Sequence, residues 1–397
     1  MYLRDDASAL VAEMTRLRHA IHREPEIGLN LPRTQEKVLA ALGGLPLEVA
    51  TGRRLTSVTA VLRGGRPGPA VLLRADMDAL PITERSGVEY ASRTDTAMHA
   101  CGHDTHIAML IGAAHLLAAR QAEIPGSVIF MFQPGEEGDR GARYMIDEGV
   151  LDAAGARPVA AYALHSISAP LATGVCTTRP GPMLAAADEI SVTVRGAGGH
   201  GSQPYNARDP IPAACEMITA LQTFVTRSFD VFDPVVVTVG TFHAGTASNV
   251  IPAEARFGAT LRSFSAAART RVKDGVVSVL RGVAAAHGLE IEHEYGPGYP
   301  VTVNDAAEAE FAGAAMADVF GPDRAQTAQN PIMGSEDFSF VLNEVPGAFV
   351  LIGACPPGRD PQTAPYNHSA EAVFDDAVLP EGATLYAELA LRRLTAG

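Results

Sequence analysis

The residues with metal-binding chemistry in this chain are scattered, and that scatter constrains the fold more than any other feature. Met98-His-Ala-Cys-Gly-His-Asp-Thr-His106 packs one thiol, three imidazoles and a carboxylate into a single short segment. Glu136-Glu137 follows, then His165 in Ala163-Leu-His-Ser166, and finally His368 in Asn367-His-Ser369 near the far end of the sequence. Thiolate, imidazole and carboxylate are the ligands of borderline divalent metals. A chain that gathers them into one centre must bring distant segments together, and each segment must end where its ligand is needed.

The local patterns meet that demand. Residues 8–24 and 33–43 read as amphipathic helices. Val58–Arg63 and Ala70–Arg74 are short apolar strands joined by the turn-rich Gly64-Gly-Arg-Pro-Gly-Pro69, and the second runs into Ala75-Asp-Met-Asp78. His103–Ala119 reads as a helix. Ser127–Phe132 reads as a strand ending at Gln133-Pro-Gly-Glu-Glu137, and Ala160–Leu164 as a strand ending at His165. Acids and candidate ligands thus recur at the C-terminal ends of strands, where open α/β sheets place their sites.

The middle of the chain has another rhythm. Glu189–Arg195, Val235–Phe242, Ala255–Ser263 and Leu289–Tyr295 read as strands, and Pro212–Ser228 and Ala266–His287 as helices. The order β-α-β-β-α-β is the ferredoxin-like signature. A chain of 397 residues suits two domains. The fold expected is therefore α/β, with a mixed-sheet catalytic domain (residues 1–187 and 299–397) interrupted by a small ferredoxin-like domain (188–298).

Composition narrows the function. A net charge of -14 argues against nucleic acid and against anionic membrane surfaces. The first residues carry acids and lack the apolar core of a signal peptide or a membrane span. Cys101, Cys176, Cys215 and Cys355 form no CxxC and no disulfide framework, so a reducing cytoplasm is expected. Lys37 and Lys273 are the only lysines, and both fall in helical patterns, which weakens a Schiff-base chemistry.

Each candidate site residue has a bland alternative. Cys101 lies just before a helix N-terminus, where the dipole or a metal favours thiolate; alone it would read as a small buried hydrophobe, but beside His103 it reads as a ligand. His103 and His106 share a helix face. Both can reach a metal, or one stands behind the other or simply packs. His99 and His115 read as structural. Adjacent side chains of extended backbone point to opposite sides, so one of Glu136 and Glu137 can bind metal while the other faces substrate as a base. Asp76 and Asp78 share one side of a strand end and read as carboxylates that orient ligand imidazoles. His165 and His368 gain meaning only from the ensemble. Gly196-Ala-Gly-Gly-His-Gly201 matches a dinucleotide fingerprint, but Pro204 and turn residues precede the next helix and no acid ends a second strand at the right distance. It reads instead as a loop presenting His200, which sets aside a nucleotide-dependent oxidoreductase.

Eight segments together resemble a known family: RADMDALP (74–81), MHACGHDTH (98–106), FQPGEEG (132–138), ALHS (163–166), GGHGSQP (198–204), NVIPAEA (249–255), GSEDFSF (334–340) and NHS (367–369). They are similar to the M20 metallopeptidase/amidohydrolase family and, within it, to hippurate hydrolases, aminoacylases and auxin-conjugate hydrolases. The resemblance implies two divalent ions per subunit (Zn²⁺ or Mn²⁺, with Co²⁺ or Ni²⁺ as alternatives), bridged by Cys101 and held by His103, Glu137, His165 and His368. It implies Glu136 as general base in the hydrolysis of N-acyl-amino acids. It makes the inserted domain a lid or dimerisation domain of a homodimer or homotetramer. From that domain His200 would stabilise the oxyanion, often in the partner subunit's site, while Asn249 and Arg262 would hold the substrate's free carboxylate. Related peptidases carry a metal-binding histidine at the position of Asp76 and a bridging aspartate at that of Cys101. This departure favours amide conjugates over exopeptidase work. A dipeptidase or carboxypeptidase of the same fold, or a non-catalytic metal- or peptide-binding relative, are the competing expectations.

Overall fold

A computed structural model describes residues 2–396 and divides the chain into two units. The first runs to Met183 and resumes over Val303–Asn330 and from Asp337 onward; the second comprises Leu184–Thr302 and Pro331–Glu336.

The first unit is built on an eight-stranded mixed sheet. Its strands lie in the order Leu47–Thr51, Val58–Arg63, Pro125–Gln133, Arg66–Asp76, Ala160–Ala172, Gly347–Cys355, Cys176–Thr178 and Ala325–Thr327. The apolar run Ala70–Leu73 forms the centre of the sheet, buried throughout from Val71 and parallel to both neighbours. An uninterrupted apolar strand is what a sheet covered on both faces requires. The helices His103–Ala118 and Val378–Thr395 pack on each other and on this central strand. Nearly every side chain of His103–Ala118 is buried, polar ones included.

Three local expectations need correction. The helix expected over 8–24 is two helices, Tyr2–Ala9 and Val11–His22, meeting at Leu10. Leu10 keeps near-helical torsions (φ -89°, ψ -5°), so the periodicity carries no sign of the break. The Arg-Pro-Gly-Pro expected as a turn is already strand, which begins at Arg66. The strand expected to end at Leu164 continues to Ala172. What ends near His165 is its ladder to one neighbour: pairing with Arg66–Asp76 runs from Val71↔Ala160 to Arg74↔Ala163 and stops, while pairing with Gly347–Cys355 continues. The ladder between the two strands stops there, and both strands run on toward candidate site residues.

The second unit has a four-stranded antiparallel sheet in the order Val235–Ala244, Glu254–Ser263, Ala186–Arg195 and Glu290–Tyr295. With helices Pro210–Ser228 and Ala266–Ala286 this is the ferredoxin-like β-α-β-β-α-β arrangement. Ile190, Val192 and Val194 alternate into its core against Ala213, Met217, Val272 and Val276. Both helices start at caps: Asp209 accepts from the Ile211 amide and Ser265 from the Ala268 amide. Among the described residues no helix is long and apolar enough to cross a membrane.

Candidate metal centre

The C-terminal ends of the central strands and the segments around them collect the sequence-predicted residues of the first unit. Gly102 starts the arrangement. Its φ of 83° is left-handed, and a Cβ there would lie 2.8 Å from the Phe374 ring, so only glycine lets the chain turn from Cys101 directly into the helix at His103. A second such turn, at Gly135 (φ 72°, with a Cβ that would meet Leu29 at 2.5 Å), delivers Glu136 and Glu137. Asp78 sets that turn. Its two carboxylate oxygens accept the amides of Glu136 and Glu137, each at 3.0 Å.

Cys101 lies at the middle. Its Sγ is 3.4 Å from His165 Nε2 and 3.3 Å from His368 Nε2. Cys101, His103 and His165 form one group able to hold a cation; Cys101, Glu137 and His368 form a second. The thiol belongs to both. His103 donates from Nδ1 to the Asp78 carbonyl at 2.8 Å, which turns Nε2 toward Cys101 and Glu137 as the atom that would bind a metal. That Nε2 lies 3.9 Å from Glu137 Oε1, which His368 Nε2 also meets at 3.2 Å. A thiol, three imidazoles and a carboxylate converge on one small volume there, and such a set is most easily buried around a cation. The donor set fits a divalent metal on that ground.

The electrostatics agree. Burial, reinforced by Glu137, pushes the Cys101 thiol up, a penalty that a coordinated cation removes. Hydrogen bonds to Cys101 and Glu137 raise His368 to about 10, so without metal a proton supplies the positive charge there. Burial pushes His165 well down, with His106 adding to it, and this leaves its ring neutral with a lone pair. His368 itself sits at φ 71°, rare for a non-glycine residue, with its amide bonded to the Ala100 carbonyl at 2.9 Å.

His106 also lies in a group with Asp76 and His103 that could hold a cation, but its partners differ from those of His103. His106 donates from Nδ1 to Asp76 at 2.5 Å and accepts the Ser166 amide at Nε2 at 2.7 Å. Both of its nitrogens are thus engaged by protein groups. Asp76 is held from behind by Arg74 at 2.6 Å, and Arg74 in turn meets Gln133 and Asp337, both at 2.9 Å. His99 is buried with both nitrogens unpartnered and is pushed down to about 4 by desolvation.

Asn367 carries no signal in the sequence beyond its neighbour. Its Nδ2 donates to the Ser166 and Cys101 carbonyls at 2.9 and 3.2 Å, and its Oδ1 accepts the Ser168 amide at 2.9 Å. It ties the Cys101 loop, the His165 strand and the His368 turn together through backbone groups.

His200, Asn249 and Arg262 lie in the second unit. His200 is exposed on the short strand Gly199–His200, paired with Val250–Ile251, and its Nδ1 accepts from Ser202 Oγ at 2.8 Å. The Asn249 carbonyl accepts the Gly201 amide, so the two candidate residues share one loop pair. Arg262, on strand Glu254–Ser263, keeps a buried Nη1 without a hydrogen bond.

Comparison with known proteins bears on this arrangement. The sequence model of peptidase family M20/M25/M40 matches residues 72–392. Thermostable carboxypeptidase 2 of Saccharolobus solfataricus is 35% identical over 395 residues, 98% of each chain. IAA-amino acid hydrolase ILR1-like 4 of Arabidopsis thaliana is 37% identical over 385 residues, covering 96% of this chain and 86% of its own. The crystal structure of the YXEP protein of Bacillus subtilis, a dinuclear metal-binding peptidase from the M20 family, matches with a TM-score of 0.82 and 32% identity, covering 98% of this chain and 99% of that one.

Proposed function

The chain belongs to peptidase family M20/M25/M40 and is a metal-dependent amidohydrolase, and from that premise we propose that it hydrolyses N-acyl-amino acids to a carboxylic acid and a free amino acid. The observation that carries the reading is the shared thiol: Cys101 belongs to two candidate ligand groups, one completed by His103 and His165 and the other by Glu137 and His368. That arrangement supports two divalent ions, which Cys101, His103, Glu137, His165 and His368 would hold. Thiolate and imidazole donors favour Zn²⁺, with Mn²⁺, Co²⁺ or Ni²⁺ as alternatives. Divalent ions held there polarise an amide carbonyl and acidify water.

The remaining chemistry falls to this chain's own residues. Glu136, buried and held by Asp78 through its amide, takes the proton of the attacking water and returns it to the leaving nitrogen. Asp76 and Asp78 hold the imidazoles of His106 and His103 in one tautomer. His200 donates to the tetrahedral oxyanion. Asn249 and Arg262 receive the carboxylate of the amino-acid half, a role that the orphaned Arg262 Nη1 suits. The second unit acts as lid and dimerisation domain of a homodimer or homotetramer, and the free cysteines fit a reducing cytoplasm. The likeness to a carboxypeptidase favours a second reading, in which the scissile bond is a peptide bond.

A panel of N-acetyl, N-benzoyl and indoleacetyl amino acids beside dipeptides separates the two, run before and after chelation and with Zn²⁺ or Mn²⁺ restored. Chelator-sensitive release of amino acid from the acyl conjugates is expected. Turnover of dipeptides alone moves the assignment to peptidase, and silence on every substrate in every metal removes it.

A further inference from the structure

Tyr386 lies on the helix Val378–Thr395, fully buried, far in sequence from every candidate ligand. Its hydroxyl accepts the Leu164 amide at 2.9 Å and donates to the Arg74 carbonyl at 2.5 Å. Arg74 and Ala163 are the last partners of the ladder between strands Arg66–Asp76 and Ala160–Ala172. In a parallel pair, the carbonyl of one residue bonds to the amide one position beyond its partner. The Arg74 carbonyl and the Leu164 amide are therefore the two halves of the last rung of that ladder, and the Tyr386 hydroxyl bonds to both.

We propose that Tyr386 is a positioning residue for the metal centre: its hydroxyl, bonded to both halves of the rung where the ladder stops, sets the separation between the strand end carrying Asp76 and the one carrying His165. Leu164 is the residue before His165, and Arg74 lies two before Asp76. Beyond that rung, His106 spans Asp76 and the Ser166 amide. Each of the two helices on the central strand thus sends one side chain to the end of the ladder. His106 reaches Asp76 directly; Tyr386 acts only through the backbone. Without the hydroxyl, the spacing of that last rung loses its side-chain bridge, and the strand ends beyond it are free to shift at the expense of the ligand spacing.

This inference rests on the metal-centre reading, and its test keeps the two apart. Zn²⁺ affinity is measured by competition with a chromophoric chelator for wild type, Tyr386→Phe and Tyr162→Phe. Tyr162 lies on the same strand as Leu164, but its hydroxyl bonds Glu308, away from that rung. Tyr386→Phe is expected to weaken Zn²⁺ binding about 10–100-fold, the usual cost of losing a group that orients ligands, and to lower kcat with KM little changed. Tyr162→Phe is expected to lower Tm with Zn²⁺ affinity unchanged. 4-Aminophenylalanine at position 386 restores a bridging group and keeps the fold should phenylalanine not; it is expected to recover most of the affinity. Wild-type affinity in Tyr386→Phe, equal weakening in Tyr162→Phe, or no recovery with the amino group overturns the proposal. Failure of the wild type itself to bind Zn²⁺ overturns the metal-centre reading and the inference with it.

Discussion

Asp78 illustrates how much a single side chain can set. Its carboxylate fixes the amides of Glu136 and Glu137 and its carbonyl fixes the tautomer of His103, so the proposed base and two proposed ligands share one anchor. Glu136 is the residue whose removal tests the chemistry most directly. Glu136→Gln keeps the shape and the amide contact but cannot take a proton. Its kcat is expected to fall about 10²–10⁴-fold with metal content unchanged, read by steady-state kinetics beside metal analysis of the same preparation. Activity close to wild type would remove Glu136 from the base role. The ligand candidates were legible in the sequence because thiol, imidazole and carboxylate advertise their chemistry wherever they stand. Asn367 and Tyr386 were not, because they act on backbone amides and carbonyls of segments remote in sequence. Their residue types point to no such partner.

At the scale of elements, the start of the helix His103–Ala118 is locked to the helix Val11–His22. Asp104, next to His103, accepts from Arg18 and His22, each at 2.9 Å, and Arg18 reaches on to the Phe374 carbonyl at 2.8 Å. His22 also meets Glu84 at 3.2 Å. Burial disfavours the charged ring, but Asp104 outweighs it and His22 is raised to about 9. The sign follows. The folded state holds the proton more tightly than the unfolded chain, so this stabilisation is complete below about pH 6.5 and disappears as pH rises through about 9. It amounts to at most about 3 kcal/mol. Urea unfolding at pH 6.5 and pH 9.5 is expected to show wild type losing more stability across that interval than His22→Gln. Equal losses would place the pH dependence elsewhere. The same scale shows what patterning reveals of a fold. The β-α-β-β-α-β block was readable because most of its strands have one wet face and so alternate. The strand Gly347–Cys355 is buried throughout and lies between Ala160–Ala172 and Cys176–Thr178. Its place follows from long-range pairing that a local pattern does not encode.

For the molecule as a whole, the outer strand of the second unit poses a problem that a second copy solves. Val235–Ala244 is the edge of its sheet, paired only with Glu254–Ser263 among the described strands. It alternates normally through Val237, but Gly240, Thr241, Phe242 and His243 are exposed on both faces. Phe242 is 37% and the nearby-in-sequence Phe232 93% exposed. The strand carries no lysine or proline to discourage pairing. Antiparallel pairing of this edge with its own copy about a two-fold axis would cover it. Sedimentation is accordingly expected to give a mass of at least twice the 41.5 kDa chain; a monomer would end the argument. A dimer raises the question of which copy's site His200 serves. His200→Ala alone is expected to lower kcat about 10²–10³-fold, and Glu136→Gln is likewise nearly inactive. Co-expressed, the two variants answer the question. If His200 serves the partner subunit, a mixed dimer has one site with both groups intact. With half the dimers mixed and one of two sites working, roughly a quarter of wild-type activity returns. If His200 serves its own subunit, each mixed dimer holds two singly defective sites, and the mixture stays as inactive as its parents.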